Sequence, residues 1–133
     1  MAVLFPLEIY TPERLFYSDS IEGIILTLTD GEVAVYGSHS PFTAPVVPCL
    51  LKIRDRNGEW KTAFAAEGIL EVNSRKTILL LDAAEWPGEI DRERALAAKA
   101  KAEEVIENKM FKFETETAKA ALRRANMRIM AVQ

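Results

Sequence analysis

The stretch that decides the fold is AEWPGEIDRERA, residues 84–95, where the chain changes character. All twelve glycines and prolines of the 133-residue chain precede residue 89, and ten alanines follow it. Residues 1–88 carry seven basic and twelve acidic side chains, whereas residues 89–133 carry ten basic and eight acidic ones. Because glycine and proline interrupt helices, this shift predicts two domains, residues 1–85 and residues 86–133.

Short segments of alternating polarity, separated by turn residues, fill the first predicted domain. Three hairpins are predicted to pair residues 24–29 with 32–36, 49–55 with 60–65, and 70–72 with 77–81. The first two turn at Asp30-Gly31 and Asn57-Gly58, pairs that suit tight turns. Several short strands at this spacing, with no helical pattern between them, predict an antiparallel β-sandwich.

The second domain is predicted to form two α-helices, from Asp91 to Ile106 and from about Thr115 to Met130, rich in strong helix formers. In the second helix, mostly small apolar residues recur at spacings of three and four. Such a stripe buries little area, so we expect a helical hairpin that is only marginally held. The predicted class is α+β, although residues 108–113 lack glycine and proline and leave one continuous helix as an alternative.

Composition excludes several functions. A net charge of −3 gives no drive toward nucleic acid. The single cysteine, Cys49, lies in an apolar run that predicts burial, and with one histidine, His39, it forms neither a disulfide nor a structural metal site. His39 also lacks a nucleophile and an acid in catalytic spacing. No apolar run approaches the ~18 residues of a membrane span.

Four cations are spaced to share helix faces. Arg94 and Lys101 are seven residues apart in the first predicted helix, and Arg124 and Arg128 are four apart in the second. If the helices pair, both faces can turn inward around an anion such as a nucleoside triphosphate. Spacing alone favours the alternative, a solvated helix face with glutamate and lysine partners.

Three motifs, in their order and separation, make the whole chain similar to the epsilon subunits of bacterial F-type ATP synthases. They are residues 30–42, DGEVAVYGSHSPF; residues 68–73, GILEVN; and residues 82–95, DAAEWPGEIDRERA. The first corresponds to the family's Gly-Glu, apolar strand and Pro-Gly-His-Ala-Pro, with Gly37-Ser38-His39 in place of Pro-Gly-His. The last contains the family's Ile-Asp-x-x-Arg-Ala motif.

The resemblance implies a non-catalytic subunit at the foot of the central stalk. Its sandwich would contact the gamma subunit and the c-ring, with Glu32 and His39 on that surface. Its helices would reach the alpha/beta catalytic hexamer and restrain ATP hydrolysis, while the stalk couples rotation to a proton or sodium rotor. The implied location is peripheral, at the cytoplasmic face of the plasma membrane. A free-standing ATP-sensing or adaptor module is the alternative, and a small enzyme is disfavoured.

Some bacterial members of this family bind ATP in their compact form, which implies a regulatory ligand here. The matching positions are Glu85, Ile90, Asp91, Arg94, Ala95, Lys101, Arg124 and Arg128. Lys101 stands where known binders have arginine, so charge is kept without the planar fork. The cations would hold phosphates, Asp91 would orient the helix turn or the nucleotide, and a role for Mg²⁺ is left open.

Overall fold

The computed structural model describes residues 3–37, 40–108 and 112–133, with the side chains of Lys112 and Phe113 excepted. Its strands are β1 (Phe5–Tyr10), β2 (Leu15–Leu28), β3 (Gly31–Tyr36), β4 (Phe42–Val46), β5 (Cys49–Asp55), β6 (Trp60–Ala65), β7 (Gly68–Val72), β8 (Thr77–Leu81) and β9 (Ala84–Glu85). A single 3-10 turn at Pro87–Glu89 precedes helices α1 (Arg92–Asn108) and α2 (Lys112–Ala131).

The three predicted β-hairpins are confirmed. They correspond to the antiparallel pairs β2–β3, β5–β6 and β7–β8. Gly31 has a φ of 129° and Gly58 a φ of 80°, values in the left-handed region that only glycine adopts readily. These two glycines therefore supply the positive φ that the first two hairpins require at or beside their turns.

The strands form a β-sandwich, as the sequence predicted, in which β2 links two layers. One hydrogen-bonded path runs β1-β8-β7-β4-β2-β5-β6-β9, with β3 paired to β2. The first half of the 14-residue β2 also pairs with β1, while its second half lies between β3 and β5. A long strand shared in this way joins the layers without a loop between them.

One strand pair departs from the predicted antiparallel arrangement, because β1 and β8 run parallel with Leu7 opposite Thr77. The sequence also failed to indicate β1, β4 and the first half of β2. Proline interrupts the pattern at Pro6 and Pro45, and the early part of β2 carries the polar run Ser18–Ser20. β1 and the first half of β2 pair with each other across residues 11–14, so the interrupted patterns hide them, whereas the partner of β4 is β7, farther along the chain.

The core lies between the two layers. Its fully buried aliphatic side chains include Leu7, Ile24, Leu51, Leu70 and Leu79, each worth about 1.5–3 kcal/mol relative to exposure. Cys49 is only 3% exposed, which confirms its predicted burial, and desolvation raises the pKa of its thiol. The sandwich is therefore well packed and forms a firm base for the helices.

The α-helical hairpin formed by α1 and α2 is also confirmed, because the two helices pack against each other. Only α2 makes extensive contacts with the sandwich, through β5 and β6. In the part of the hairpin whose burial the structure describes, the buried residues are Ala95, Ala102, Ala118, Ala125 and Ile129. Since alanine buries little apolar area, the apolar packing within the hairpin is modest. No helix among the described residues has the length and apolar character needed to cross a membrane.

Candidate functional site

A cavity of about 400 Å³ lies where the segment after β9 meets the start of α1 and the last turns of α2. Its lining residues are Glu85, Glu89, Asp91, Arg94, Ala95, Ala98, Ala121, Arg124 and Arg128. Arginines from both helices therefore face one space, although thirty residues separate Arg94 from Arg124. A volume of this size falls in the range of small-molecule sites.

Part of the cavity lining, Glu89 and Asp91, comes from the linker, defined here as residues 86–91. The Trp86 ring stacks on Phe16 of β2 with centroids 4.5 Å apart. One oxygen of Glu89, Oε1, accepts hydrogen bonds from Arg14 Nη2 at 2.8 Å and from the Trp86 backbone N–H at 2.9 Å. Arg14 first, and then this N–H, lower the pKa of the Glu89 carboxyl. The linker is thus fixed to the sandwich as far as Glu89.

Asp91 occupies the N-cap of α1, one residue before the helix begins. Its Oδ1 accepts the backbone N–H of Arg94 at 3.1 Å, and its carbonyl oxygen accepts that of Ala95 at 3.0 Å. An aspartate at this position satisfies a helix N–H that has no partner within the helix. The Ile-Asp-x-x-Arg-Ala motif therefore encodes a helix start, and Arg94 and Ala95, in the first turn after the cap, line the cavity.

Two of the three arginines of α2, Arg124 and Arg128, meet carboxylates of the sandwich. Arg124 Nη1 lies 3.3 and 3.1 Å from the two oxygens of Glu67, and Arg128 Nε donates to Glu85 Oε1 at 2.7 Å. The Arg128 guanidinium also lies over the Phe64 ring, 4.4 Å from its centroid. Their side chains are 32% and 28% exposed, so they are neither buried nor on a freely solvated face.

Two of the eight predicted nucleotide residues lie outside the cavity lining. Lys101 is exposed and lines a second cavity of about 540 Å³, which is built mainly from apolar residues farther along the helix pair. Ile90 is half-buried and donates its backbone N–H to the Pro87 carbonyl at 3.2 Å. The first cavity therefore gathers three arginines, and Lys101 does not join them there.

Sequence reasoning missed two acidic residues near the arginines. Glu89 follows Trp86 at the spacing of a capping interaction, a signal that the sequence does contain. Glu67 carries no local signal, because its partner Arg124 is 57 residues away.

The structure describes only part of the predicted contact surface that contains Glu32 and His39. Glu32 is exposed on β3, one residue after the turn, where it lies opposite Thr27. His39 lies outside the described residues, while Gly37 follows the opposite end of β3. Among the described residues, no cluster of three or more histidine, cysteine, aspartate or glutamate side chains is arranged to hold a metal ion.

The β-sandwich and the helical hairpin both match known family models. That for the beta-sandwich domain of the ATP synthase delta/epsilon chain matches residues 4–87, and that for its long alpha-helix domain matches residues 89–133. The architecture thus defines a delta/epsilon chain of an ATP synthase.

Individual relatives narrow this class to the epsilon chain. The chain is 43% identical to the ATP synthase epsilon chain of Caldicellulosiruptor saccharolyticus, over 97% of this chain and 93% of that one. It is 42% identical to that of Clostridium novyi, over 99% and 100%. The chain belongs to the ATP synthase epsilon-subunit family.

Solved structures share the fold at low sequence identity. One is a chain of the Euglena gracilis mitochondrial ATP synthase, solved with OSCP, F1 and c-ring, with a TM-score of 0.85 at 17% identity, covering 98% of this chain and 82% of that chain. Another belongs to the central stalk and c-ring of the Tetrahymena thermophila enzyme, with a TM-score of 0.63 at 13% identity, covering 99% and 98%.

Proposed function

We propose that this epsilon subunit is a non-catalytic part of the central stalk that couples the catalytic hexamer to a proton- or sodium-driven c-ring. Its helical hairpin restrains ATP hydrolysis by extending into the alpha/beta hexamer, and it is released from that role when it docks on its own sandwich. The observation that carries this proposal is the arginine-lined cavity between the two helices and the linker. A ligand held there contacts both helices at once.

An exposed apolar row supports docking of the sandwich to a partner subunit, which we assign as gamma. Neighbouring residues in register cross five strands of one face: Leu15, Tyr10, Leu80, Ile69 and Pro45. The first four are 38–52% exposed, and Pro45 is also exposed. Residues in register on neighbouring strands share a face, and a contiguous exposed apolar surface commonly marks a protein interface.

The ends of β3 supply the remaining proposed contacts. Glu32 stands exposed beside the β2–β3 turn and is assigned to the c-ring side. His39, beyond the opposite end of β3, is assigned to the gamma side. Assembly through gamma and the c-ring holds the subunit peripherally at the cytoplasmic face of the plasma membrane.

The cavity is proposed to bind ATP. Arg94, Arg124 and Arg128 bring three guanidinium groups from two helices to one space, and guanidinium groups pair well with phosphate oxygens. The cavity is also lined by three alanines, Ala95, Ala98 and Ala121. Their short side chains leave room for the remainder of the nucleotide. Because ATP binds the docked hairpin and not the extended one, it stabilises the docked state by RT ln(1 + [ATP]/Kd).

Deleting residues 89–133 from the subunit in the assembled ATP synthase tests this function. We expect the shortened chain to co-purify with gamma, because the apolar row and the core remain. Hydrolysis should rise about tenfold, the factor that a gap of about 1.4 kcal/mol between blocked and free states produces. The measurement is ATPase activity of the purified complex, with the full-length complex as its control.

Two outcomes would contradict the proposal. Unchanged hydrolysis in the complex with the shortened subunit would show that the hairpin does not restrain the enzyme. A full-length chain that binds ATP but never co-purifies with gamma would instead indicate a free-standing nucleotide sensor.

A further inference from the structure

We propose that Glu67 is an internal counter-ion that holds Arg124 until a nucleoside polyphosphate replaces it. The ion pair between Glu67 and Arg124 is called the latch below. It docks α2 in the absence of nucleotide, so that ligand and latch compete for one guanidinium group. The replacement step rests on the proposed ATP site, whereas the docking step stands without it.

The geometry of Arg124 supports both parts. Its side chain lines the cavity, and its Nη1 contacts both carboxylate oxygens of Glu67 at 3.1 and 3.3 Å. Glu67 itself is not among the cavity-lining residues, so the latch approaches the guanidinium from outside the ligand space. A phosphate group offers more negative charge and more acceptor oxygens than one carboxylate, and it is the stronger partner for the same arginine.

Glu67 is presented by a rigid turn. Its carbonyl oxygen accepts the Asp82 backbone N–H at 2.9 Å, and the preceding Ala66 N–H donates to the Ala83 carbonyl at 2.9 Å. A side chain at the next residue, Gly68, would place a Cβ 1.9 Å from the Leu80 carbonyl oxygen, so the backbone there is closely packed. The backbone that carries the Glu67 carboxylate is therefore already fixed, so forming the latch costs little backbone entropy.

The latch matters because the apolar seam of the hairpin is weak. The buried residues of α2 include two alanines, Ala118 and Ala125, and one larger side chain, Ile129. The latch side chains are 32% and 36% exposed, and exposed ion pairs contribute modestly. Even a modest ion pair measurably shifts the equilibrium between the docked and the extended hairpin when the other docking contacts are also small.

Hydrogen exchange of the full chain tests the inference with the variant Glu67→Gln. Without nucleotide, we expect the α2 amides between residues 118 and 129 to exchange roughly two- to five-fold faster than in the unsubstituted chain. At saturating ATP this difference should vanish, because phosphate has taken over Arg124. The matched control is Glu71→Gln, the same change at an exposed glutamate of β7, which should leave α2 exchange unaltered in both conditions.

The outcomes of the hydrogen-exchange experiment separate the docking step from the replacement step. If Glu67→Gln exchanges like Glu71→Gln without nucleotide, the latch does not exist. If the faster exchange persists at saturating ATP, nucleotide does not replace Glu67. If ATP slows α2 exchange in no protein, including the unsubstituted chain, the proposed ATP site and the replacement step both fail, while faster exchange in Glu67→Gln alone would still establish docking by the latch.

Discussion

Replacing both Arg124 and Arg128 by alanine is expected to weaken ATP binding at least about a hundredfold while the sandwich stays folded. Each charge-assisted contact to phosphate contributes about 1.5–3 kcal/mol, and each 1.4 kcal/mol corresponds to a factor of ten in affinity. Both side chains belong to α2 and lie outside the sandwich core, so its stability should be retained. Titration calorimetry of the full chain with ATP measures the effect.

A charge-matched control separates phosphate binding from general effects on α2. The double variant Lys119→Ala and Arg123→Ala also removes two positive charges from α2, from side chains outside the cavity lining. It also removes the contact from Arg123 Nε to the Pro48 carbonyl at 2.9 Å, and so weakens docking without touching the site. We expect this control to lose less than about tenfold in affinity. Equal losses in the two double variants would refute a phosphate site at Arg124 and Arg128.

Gly68→Ala is expected to lower the free energy of unfolding of the sandwich by at least about 3 kcal/mol. The added Cβ would lie 1.9 Å from the Leu80 carbonyl oxygen and 2.8 Å from the Leu81 Cα. Both are main-chain atoms of β8, the strand paired with β7, so no flexible side chain can move aside. Relief of the clash requires the two strands to separate at Gly68.

The matched control is Gly88→Ala, since an added Cβ there meets nothing within 4 Å. We expect that change to stay within about 0.5 kcal/mol of the unsubstituted chain. Urea unfolding of the full chain, followed by circular dichroism in the β region, compares the two. Equal midpoints for Gly68→Ala and Gly88→Ala would show that the β7–β8 contact is not as close as described.

The parts of the fold that could be predicted from sequence are those decided by local chemistry. Asp30-Gly31 and Asn57-Gly58 determine their turns through glycine's freedom at positive φ, and the flanking alternation follows from burial of one face. The loss of glycine and proline after residue 88 likewise indicated the helical region. The parallel contact of β1 with β8 joins distant segments and has no such local signature.

The residues of the candidate site likewise divide into those that local spacing predicted and those that it did not. The i, i+4 spacing of Arg124 and Arg128 put them on one face of α2, and both line the cavity. The seven-residue spacing of Arg94 and Lys101 also suggested one shared site, yet Lys101 lies beside the second cavity, about two helical turns farther along. Glu67 could not be found because it is brought to Arg124 by the sandwich and not by any pattern along the chain.

We propose above all that the helical hairpin is a two-state element, docked on the sandwich or extended away from it. The distance between spin labels at Ser18→Cys and Lys119→Cys, exposed positions on the sandwich and on α2, tests this most directly. The buried native Cys49, whose thiol pKa is raised, should not react with the label. In the assembled ATP synthase we predict one short distance at saturating ATP and a second, longer distance when nucleotide is removed. A single short distance in both conditions would contradict the account.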